Sequence, residues 1–397
     1  MKVVLGVSAG IAAYKACELL RLFTESGHDV RVVPTRESLH FVGEATWAAL
    51  SGNPVTTDVW QSVHEVPHVR IGKGADLVIV APATADVLAK AAHGLAGDLL
   101  TNTLLTARCP VVFAPAMHTE MWEHPATRAN VATLREHGAI VIDPAVGRLT
   151  GADTGPGRLP DPSEIFEVCL RVAAGRPRDL AGRSVVISAG GTREALDPVR
   201  FLGNRSSGLQ GYALARTAVA RGAEVTLVAA NVSLPDPAGA RVIRVESALE
   251  MREAVLKESA QADAVVMAAA VADFRPATRY DSKIKKTSDE PEPLHLVKNP
   301  DILAELGERR REAGPYPLVI AGFAAETDDV LANGRAKLER KGCDLLVVNQ
   351  VGEHLAFGTP DNAATILVRG GDPVDVPRGP KEDVADAIWD QVAAHLH

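Results

Sequence analysis

Short apolar runs alternate with longer helical patterns along most of the chain. In the first half the runs contain almost no polar residues, which is typical of strands covered on both faces of a parallel sheet. These runs occupy 2–7, 30–33, 76–81, 111–114 and 139–142. The helical stretches between them are 11–26, 37–50, 84–93, 97–107 and 126–137. The alternation predicts an α/β domain with a doubly wound parallel sheet, which we expect to be flavodoxin-like.

A second series of the same kind begins at residue 184. Its strand-like runs are 184–188, 224–229, 241–245, 264–268, 318–321 and 344–348. Its helical stretches are 208–221, 248–260, 301–312, 329–340 and 381–395. Near the end, 363–376 contains two alternating runs joined by two glycines, which predicts a hairpin. The second half is therefore predicted to be another doubly wound, Rossmann-like domain.

Three segments interrupt these patterns. Residues 144–160 are rich in Gly and Pro, and we expect a loop that forms a flap over a ligand site, the alternative being a mobile connector. Residues 274–298 form a second long segment that we expect to be irregular. Residues 175–183 are short, polar and basic, and are predicted to link a domain at 1–174 to a domain at 184–397.

Composition narrows the range of functions. The 397 residues suit two to three domains at ~150 residues each. Lys and Arg total 42 against 50 Asp and Glu, a formal net charge of −8, which argues against nucleic-acid binding as the main role. We expect no membrane-spanning segment. Four cysteines without CxxC spacing predict a cytoplasmic protein that is neither a zinc ribbon nor a disulfide scaffold.

The first β-turn-α segment, GVSAGIAAYKA at 6–16, contains small residues where a helix begins. Free N–H groups and the helix dipole favour a phosphate there. The second strand ends in Pro34 and Thr35 rather than in the acidic residue that would bind a ribose diol, which disfavours NAD and favours a mononucleotide such as FMN. The alternative is that the small residues only pack helix against sheet.

Two further motifs follow strands in the first half. APATAD at 81–86 places Thr84 at a helix N-cap, and APAMHTEMW at 114–122 carries His118. His68 comes just before the strand at 76–80. Because ligands of open α/β sheets bind at the carboxyl ends of the strands, these motifs are predicted to meet at one site. We therefore predict a catalytic role for His68, although a single histidine is more often structural.

Parts of these segments resemble the flavin-dependent cysteine decarboxylases of coenzyme A synthesis. The resemblance rests on GIAAYK at 10–15, PHVRIGKGADLVIVAPATAD at 67–86 and PAMHTEMW at 115–122. It implies that FMN oxidises the substrate thiol, providing an electron sink for loss of CO₂, and that His68 is the active-site histidine. The implied FMN-binding residues are Gly10, Ile11, Ala12, Thr35, Pro82, Ala83, Thr84 and Met117.

Two positions depart from this family's pattern, and both concern the proton donor. His118 stands where the family usually has Asn, and Gly151 stands where it usually has a proton-donating Cys. Cys17 falls in a predicted helix and Cys109 beside a predicted strand, so neither is an obvious substitute. His118, Asp153 or a bound water could return the proton, and we keep His118 as a catalytic candidate.

The segment 188–211, SAGGTREALDPVRFLGNRSSGLQG, contains two groups of residues suited to anions. Residues 190–192 follow a strand and offer free backbone N–H groups. Asn204, Ser206 and Ser207 lie where the next helix begins. Two such groups suit a substrate with a phosphate at one end and an activated carboxylate at the other. The alternative is that these residues are only caps and turns.

This segment and several later motifs resemble the ligase half of a bifunctional family, the phosphopantothenoylcysteine decarboxylase/phosphopantothenate–cysteine ligases. The later motifs are MAAAVADFRP at 267–276, KIKK at 283–286, NPDIL at 299–303 and GFAAET at 322–327. Asn299 is predicted to cap the helix that follows, with Pro300 in its first position. The resemblance implies that Lys283 binds the triphosphate and that Asn204 contacts the acyl intermediate.

The resemblance implies the remaining site residues as well. The implied CTP-binding residues are Met267, Ala268, Ala269, Asp273, Lys283, Asn299, Pro300, Asp301, Ile302, Phe323, Lys337 and Lys341. The implied substrate-binding residues are Gly191, Thr192, Asn204, Ser206 and Ser207. From the residues alone, a solvated surface run is the commonest explanation of a cluster such as KIKK. Asp273 could hold a cytosine edge, a ribose or Mg²⁺.

The implied reaction couples 4′-phosphopantothenate to cysteine with CTP and Mg²⁺, and it passes through an acyl-cytidylate. The residues that would bind Mg²⁺ are unknown. FMN-dependent decarboxylation then gives 4′-phosphopantetheine. The resemblance also implies a homo-oligomer of trimeric decarboxylase and dimeric ligase units, and a dodecamer by extension. A ligase with a degenerate, regulatory flavin-binding half is the main alternative. A paired dinucleotide-dependent oxidoreductase would need a GxGxxG turn and an acidic strand end, and the sequence has neither.

Overall fold

The computed structural model describes residues 1–55, 57, 66–149, 153–176, 178–284, 293–314, 316–326, 330–350 and 361–396. The chain divides into two compact units, Met1–Pro177 and Arg178–His397. Residues from Arg178 onward belong to the second unit, although we predicted 175–183 as a separate linker. None of the helices in these described ranges combines the length and the apolar character needed to cross a membrane.

The first unit contains a parallel sheet of five strands. These are β1 (Lys2–Val7), β2 (Asp29–Pro34), β3 (Leu77–Ala83), β4 (Val111–Pro115) and β5 (Ile140–Val141). Their order is β2-β1-β3-β4-β5, and every pair is parallel. This is the flavodoxin-like order, in which the ligand crevice opens beyond the carboxyl ends of β1 and β3. The predicted fold class is confirmed for this unit.

Among its described residues, this unit has eight α-helices beside the sheet. They are α1 (Ala13–Glu25), α2 (Glu44–Ser51), α3 (Pro67–Gly74), α4 (Ala85–Ala92), α5 (Leu99–Thr106), α6 (Thr119–Glu123), α7 (Pro125–Glu136) and α8 (Pro162–Ala173). The prediction of one helix over 37–50 is wrong, because extended backbone at Gly43 separates a 3₁₀ turn at Glu37–His40 from α2. The sequence analysis missed α3, an eight-residue helix over PHVRIGKG.

The expectation of a loop over 144–160 is wrong for most of that segment. Two antiparallel strands, β6 (Ala145–Arg148) and β7 (Thr154–Arg158), form a hairpin there. Their sequences, AVGR and TGPGR, lack alternating apolar residues. Because backbone pairing rather than side-chain burial defines these strands, the hydrophobic pattern does not predict them.

The second unit contains an eight-stranded sheet and two small ribbons. The strands are β8 (Ser184–Gly190), β9 (Arg193–Ala195), β10 (Phe201–Gly203), β11 (Glu224–Ala230), β12 (Ala240–Val245), β13 (Ala264–Met267), β14 (Phe274–Pro276), β15 (Leu296–Lys298), β16 (Val319–Glu326), β17 (Leu345–Gln350), β18 (Asp361–Val368) and β19 (Val374–Pro380). The sheet order is β12-β11-β8-β13-β16-β17-β18-β19. Its first six strands are parallel in the Rossmann order, as predicted, and β18 and β19 form the predicted antiparallel hairpin.

The ribbons correct a second expectation of irregular structure. Strands β14 and β15 pair antiparallel, so the segment 274–298 begins and ends in a ribbon. Strands β9 and β10 form the other ribbon. Both are too short to produce a recognisable alternating pattern.

Five helices in the described ranges of the second unit pack on its sheet. They are α9 (Leu209–Ala220), α10 (Ala248–Ser259), α11 (Ile302–Ala313), α12 (Val330–Lys341) and α13 (Lys381–Leu396). The predicted cap of α11 is wrong by two residues. Asp301 is the N-cap and accepts a hydrogen bond from the Ala304 N–H at 3.1 Å. Asn299 stays outside the helix because its N–H donates to the Asp273 carbonyl at 2.8 Å.

A buried cation joins the start and the end of the second unit. Arg221 is 2% exposed, follows α9, and donates to Asp179 at 2.8 Å and to Asp390 at 2.7 Å. Asp386 lies 3.6 Å from the same guanidinium. The segment before β8 is therefore held against α9 and α13 by charge-assisted hydrogen bonds.

We expect Arg221→Met to destabilise the second unit by about 3–5 kcal/mol, because it removes a buried guanidinium and the ion pairs that it forms with Asp179 and Asp390. The loss of unfolding free energy is measured by urea unfolding of the full chain, with tryptophan fluorescence as the signal. Arg216→Met is the matched control. Its partner Glu382 is about one third exposed, so its ion pair contributes less than about 1 kcal/mol. Equal losses in the two variants would contradict the structural role of Arg221.

Candidate functional site

The carboxyl ends of β1 and β3 are joined by one buried hydroxyl in the first unit. Ser8 Oγ donates to the Pro82 carbonyl at 2.6 Å and accepts from the Thr84 N–H at 3.0 Å. A Cβ atom on Gly10 would lie 4.0 Å from the Thr84 side chain. The turn after β1 and the APATAD motif therefore lie together where the strand order reverses.

Two helices begin at this edge. Thr84 caps α4 through a 3.5 Å hydrogen bond from the Val87 N–H, as predicted. At α1 the N-cap is Ala12, which has no side chain able to satisfy the first N–H groups. Such a helix start accepts a phosphate. The Thr35 N–H donates to the Val7 carbonyl at 2.8 Å, so the end of β2 borders the same crevice.

The end of β4 joins this edge through backbone hydrogen bonds. The Ala116 N–H donates to the Ala83 carbonyl at 3.1 Å. The next residue, Met117, donates its N–H to the Gly157 carbonyl at 2.9 Å. The β6–β7 hairpin is thus attached next to His118, which is exposed and precedes α6.

Gly157 is required for this attachment. Its φ is +141°, and a Cβ there would lie 2.2 Å from the Met117 carbonyl oxygen. Only a residue without a side chain fits this approach. Gly151 and its neighbours at 150 and 152 lie outside the described residues, whereas Asp153 is exposed at the start of the returning strand.

His68 lies in the first turn of α3, not in a loop. Its carbonyl accepts a hydrogen bond from Thr106 Oγ1 at 2.8 Å, which fixes its backbone to α5. Its ring Nδ1 is buried and finds no partner among the residues that the structure describes. An imidazole nitrogen in this state can bind a ligand or exchange a proton.

The cysteines in this unit do not lie on the hairpin. Cys17 is in α1, and Cys109 precedes β4. Burial raises the pKa of both thiols.

The second unit contains a cavity of about 630 Å³ on the carboxyl side of β8 and β13. Its lining comes from 204–211, 267–273 and 298–303, and from Phe323, Ala324, Lys337, Lys341, Asn349, Asn362 and Lys381. A hydroxyl again joins the two strands, since Ser188 Oγ accepts from the Ala269 N–H at 3.1 Å. This is the crevice in which Rossmann-like sheets bind ligands.

Most residues that the sequence assigned to this site line the cavity. They are Asn204, Ser206, Ser207, Met267, Ala268, Ala269, Asp273, Asn299, Pro300, Asp301, Ile302, Phe323, Lys337 and Lys341. Asn204 Nδ2 donates to the Val271 carbonyl at 3.0 Å, and Asn299 Nδ2 donates to the Ala272 carbonyl at 2.8 Å. Side-chain amides therefore connect the three loops that form the walls.

Gly191 and Thr192 are not among the lining residues. Thr192 is fully buried and accepts a hydrogen bond from the Ala272 N–H at 2.9 Å. A Cβ on Gly191 would lie 2.7 Å from the Asn204 carbonyl oxygen. The structure therefore places this pair behind the cavity wall, where it supports the loops.

Lysines concentrate near α11 and α12. Lys341 forms an ion pair with Asp301, while Lys298 and Lys337 also line the cavity. Burial, followed by the positive charge of Lys298, lowers the pKa of the Lys341 ammonium. Mutual repulsion of this kind is relieved when an anion binds between cations, and a triphosphate is such an anion.

Lys283 is exposed and is not part of this lining. The next residue, Ile284, is held by hydrogen bonds at both its N–H and its carbonyl. The Ile284 N–H donates to Asp197 Oδ2 at 3.2 Å, and its carbonyl accepts from Arg200 at 3.0 Å. The Arg200 guanidinium holds the pKa of Asp197 well below its usual range. Lys285 and Lys286 lie outside the described residues.

The sequence analysis missed several residues of the cavity, namely Arg205, Gln210, Lys298, Asn349, Asn362 and Lys381. Asn349 is the penultimate residue of strand β17, and its Oδ1 is buried without a partner among the described residues. A polar residue at the end of an apolar run was the signal that could have revealed it. No pattern in the sequence near Lys381 marks it as a residue of the cavity. It reaches the cavity because it follows strands β18 and β19.

Comparison with known sequences defines the class of protein. Residues 1–173 match the family described as Flavoprotein, and residues 180–396 match the DNA/pantothenate metabolism flavoprotein C-terminal domain. The chain is therefore a two-domain α/β flavoprotein of pantothenate metabolism.

Similar full-length proteins identify the family. The coenzyme A biosynthesis bifunctional protein CoaBC of Mycolicibacterium smegmatis is 58% identical over 405 residues, covering 100% of this chain and 98% of that protein. The Bacillus subtilis protein of the same name is 44% identical, covering 99% and 96%. The chain belongs to this family of bifunctional enzymes of coenzyme A biosynthesis, which combine a phosphopantothenoylcysteine decarboxylase with a phosphopantothenate–cysteine ligase. The predicted resemblance is confirmed.

A solved structure matches part of the chain. The crystal structure of a CoaBC C-terminal domain is 36% identical, covers 55% of this chain and 98% of its own, and has a TM-score of 0.47.

We expect Gly157→Ala to detach the β6–β7 hairpin, because the new methyl group would overlap the Met117 carbonyl. The strain at this backbone conformation costs about 1–3 kcal/mol. Limited proteolysis should show faster cleavage near the hairpin, and the purified protein should contain less flavin. Gly147→Ala is the control, since its Cβ would lie 3.8 Å from Arg158, an ordinary contact distance. Unchanged cleavage and flavin content in Gly157→Ala would contradict this role.

Proposed function

We propose that the second unit couples 4′-phosphopantothenate to cysteine with CTP, and that the first unit decarboxylates the product with FMN to give 4′-phosphopantetheine. The observation that carries the proposal for the ligase is the cavity of about 630 Å³ in this unit. It combines a serine-rich loop at a helix start with three lysines near α11 and α12. Such a cavity suits a phosphorylated acid and a nucleoside triphosphate together.

The ligation has two steps. The carboxylate of 4′-phosphopantothenate attacks the α-phosphorus of CTP, which releases pyrophosphate and forms an acyl-cytidylate. The amine of cysteine then attacks the acyl carbon, loses a proton and displaces CMP, leaving an amide. The Asn204 amide uses an N–H for the Val271 carbonyl and retains a second N–H, which we assign to the acyl carbonyl.

We assign the triphosphate to the wall formed by Lys298, Lys337 and Lys341. Asp301 both caps α11 and pairs with Lys341, so it keeps that ammonium in position. For Mg²⁺ we assign Asp273 and the phosphate oxygens. The described residues contain no cluster of three or more His, Cys, Asp or Glu, which is why the phosphates would supply most ligands.

The turn after β1 fits the phosphate of FMN. Gly10 and Ala12 leave the backbone accessible, and α1 begins there without a side-chain cap. We assign the same eight residues at this edge, from Gly10 to Met117, to flavin contacts. When bound, FMN would accept and return the electrons that allow CO₂ to leave.

We assign His68 to the reacting end of the substrate. Its buried Nδ1, which has no partner among the described residues, can bind the carboxylate or exchange the thiol proton there. The proton returned to the product would come from His118, Asp153 or a water. His118 is favoured because the hairpin is attached to the residue beside it.

The first test mixes the full-length protein with 4′-phosphopantothenate, cysteine, Mg²⁺ and either CTP or ATP. We expect pyrophosphate release with CTP, followed by release of CO₂. Pyrophosphate without CO₂ would support the second candidate function, a ligase with a degenerate flavin half, which the replacements at His118 and Gly151 favour. Absence of pyrophosphate with CTP would contradict the ligase assignment.

We further propose that Lys283 contacts the triphosphate, supported by the anchoring of the next residue to Asp197 and Arg200. Lys283→Gln should reduce ligation about 10²–10³-fold. Release of CO₂ from supplied 4′-phosphopantothenoylcysteine should be unchanged. The exposed Lys257 on α10 provides a control variant, Lys257→Gln, with the same change in charge. Loss of both activities in Lys283→Gln would contradict independent sites.

We propose a cytoplasmic homo-oligomer built from trimeric decarboxylase units and dimeric ligase units, with twelve chains in the complete assembly. Ile11 and Tyr14, near the predicted flavin site, are 69% and 61% exposed, and exposed apolar side chains of this kind are typical of subunit contacts. A mass measurement in solution tests the assembly. The partners are small molecules, with no nucleic acid or membrane.

A further inference from the structure

The cavity of the ligase unit contains a lysine that the sequence motifs do not include. Lys381 is the first residue of α13, which follows the β18–β19 hairpin. It lines the cavity, yet it is only 5% exposed. A buried ammonium is costly unless it meets an anion or several acceptors.

The described residues supply few acceptors for this ammonium. Among the residues that the structure describes, Lys381 Nζ has one hydrogen bond, to the Asp361 carbonyl at 3.4 Å. The neighbouring carboxylate of Glu382 is engaged by Arg216. Burial lowers the pKa of Lys381, while the charges of Glu382 and Asp361 act in the opposite direction. Lysine carries three N–H donors, so the ammonium retains bonding capacity toward the cavity.

A side-chain network holds this lysine beside the start of α9. Gln210 Nε2 donates to the Lys381 carbonyl at 3.1 Å, and its Oε1 accepts from Asn362 Nδ2 at 3.1 Å. Gln210 is in the first turn of α9, whose N-cap Gly208 provides no side-chain cap. Gly208 and Gln210 both line the cavity. A cation and a helix N-terminus therefore meet at one place.

This place differs from the wall that holds the other lysines. Lys341 ends α12 and pairs with the N-cap of α11. Lys381 instead begins α13, where Gln210 of α9 donates to its carbonyl. The cavity is therefore lined by cationic side chains from two different parts of the unit.

We propose that Lys381, positioned by Gln210 and Asn362 at the start of α9, binds the phosphate monoester of the acid substrate. This contact would make the ligase select phosphorylated over unphosphorylated pantothenate. The inference rests on the proposed function, since it requires that the acid substrate carries a phosphate. A dianion at this position can accept hydrogen bonds from the buried ammonium and from N–H groups in the first turn of α9.

The test compares full-length wild-type protein with Lys381→Gln and Lys381→Arg. Isothermal titration measures binding of 4′-phosphopantothenate and of pantothenate, and pyrophosphate release measures KM for 4′-phosphopantothenate and for CTP. In Lys381→Gln we expect KM for 4′-phosphopantothenate to rise on the order of 10- to 100-fold, with little change in KM for CTP. Its preference over pantothenate should largely disappear. Lys381→Arg should retain part of that preference, because it keeps the charge.

Lys257→Gln serves again as the control for loss of a positive charge, and thermal unfolding checks that each variant folds. If Lys381→Gln unfolds, Asn362→Leu removes one member of the positioning network instead and should raise the same KM by a smaller factor. An unchanged preference for the phosphorylated acid, or an equal rise in KM for CTP, would overturn the proposal. Failure of the wild-type protein to bind 4′-phosphopantothenate would instead contradict the proposed function.

Discussion

Both units depend on a hydroxyl that joins the two strands at which the strand order reverses. In the first unit Ser8 accepts the Thr84 N–H, and in the second Ser188 accepts the Ala269 N–H. The connections on either side of such a pair run to opposite faces of the sheet, which opens a crevice that the sheet itself does not fill. The hydroxyl satisfies a backbone donor beside this opening, so the strand ends can remain close without losing hydrogen bonds.

The two units use this common geometry for different chemistry. The first presents an uncapped helix start and a strand-end motif to which a glycine-rich hairpin is attached. The second surrounds its crevice with loops joined by amides from Asn204 and Asn299. Side-chain amides suit this task because they donate to carbonyls of irregular backbone that no strand can satisfy. Loops fixed by these amides can hold cationic side chains at defined positions around the cavity.

The sequence predicted the elements that bury apolar surface and missed those that do not. Runs such as 76–81 and 264–268 lie in the parallel sheets as expected, because burial on both faces requires unbroken apolar residues. The hairpin that includes Gly157 was not predicted, since backbone pairing alone defines it. The N-cap moved from Asn299 to Asp301 because a tertiary hydrogen bond to Asp273 outweighed local preference.

The site shows the same division. Asn204, Asp273 and Asp301, which the resemblance implied as site residues, all line the cavity. The position of Lys381 in the sequence does not indicate that it lies at the cavity. The β18–β19 hairpin and the start of α13 place it there. Thr192 also follows a strand, but its hydroxyl accepts a hydrogen bond from the Ala272 N–H. The orientation of this side chain depends on how the loops pack, which the sequence pattern does not show.

The pairing of Arg221 with Asp179 has a practical consequence for studying the ligase unit in isolation. A fragment that begins at Ser184, the first residue of β8, would lack a carboxylate that the buried guanidinium needs. The natural point of separation therefore precedes the first strand by several residues. The short stretch before β8 is therefore part of the second unit and not a free linker. A fragment prepared for study of the ligase unit should include it.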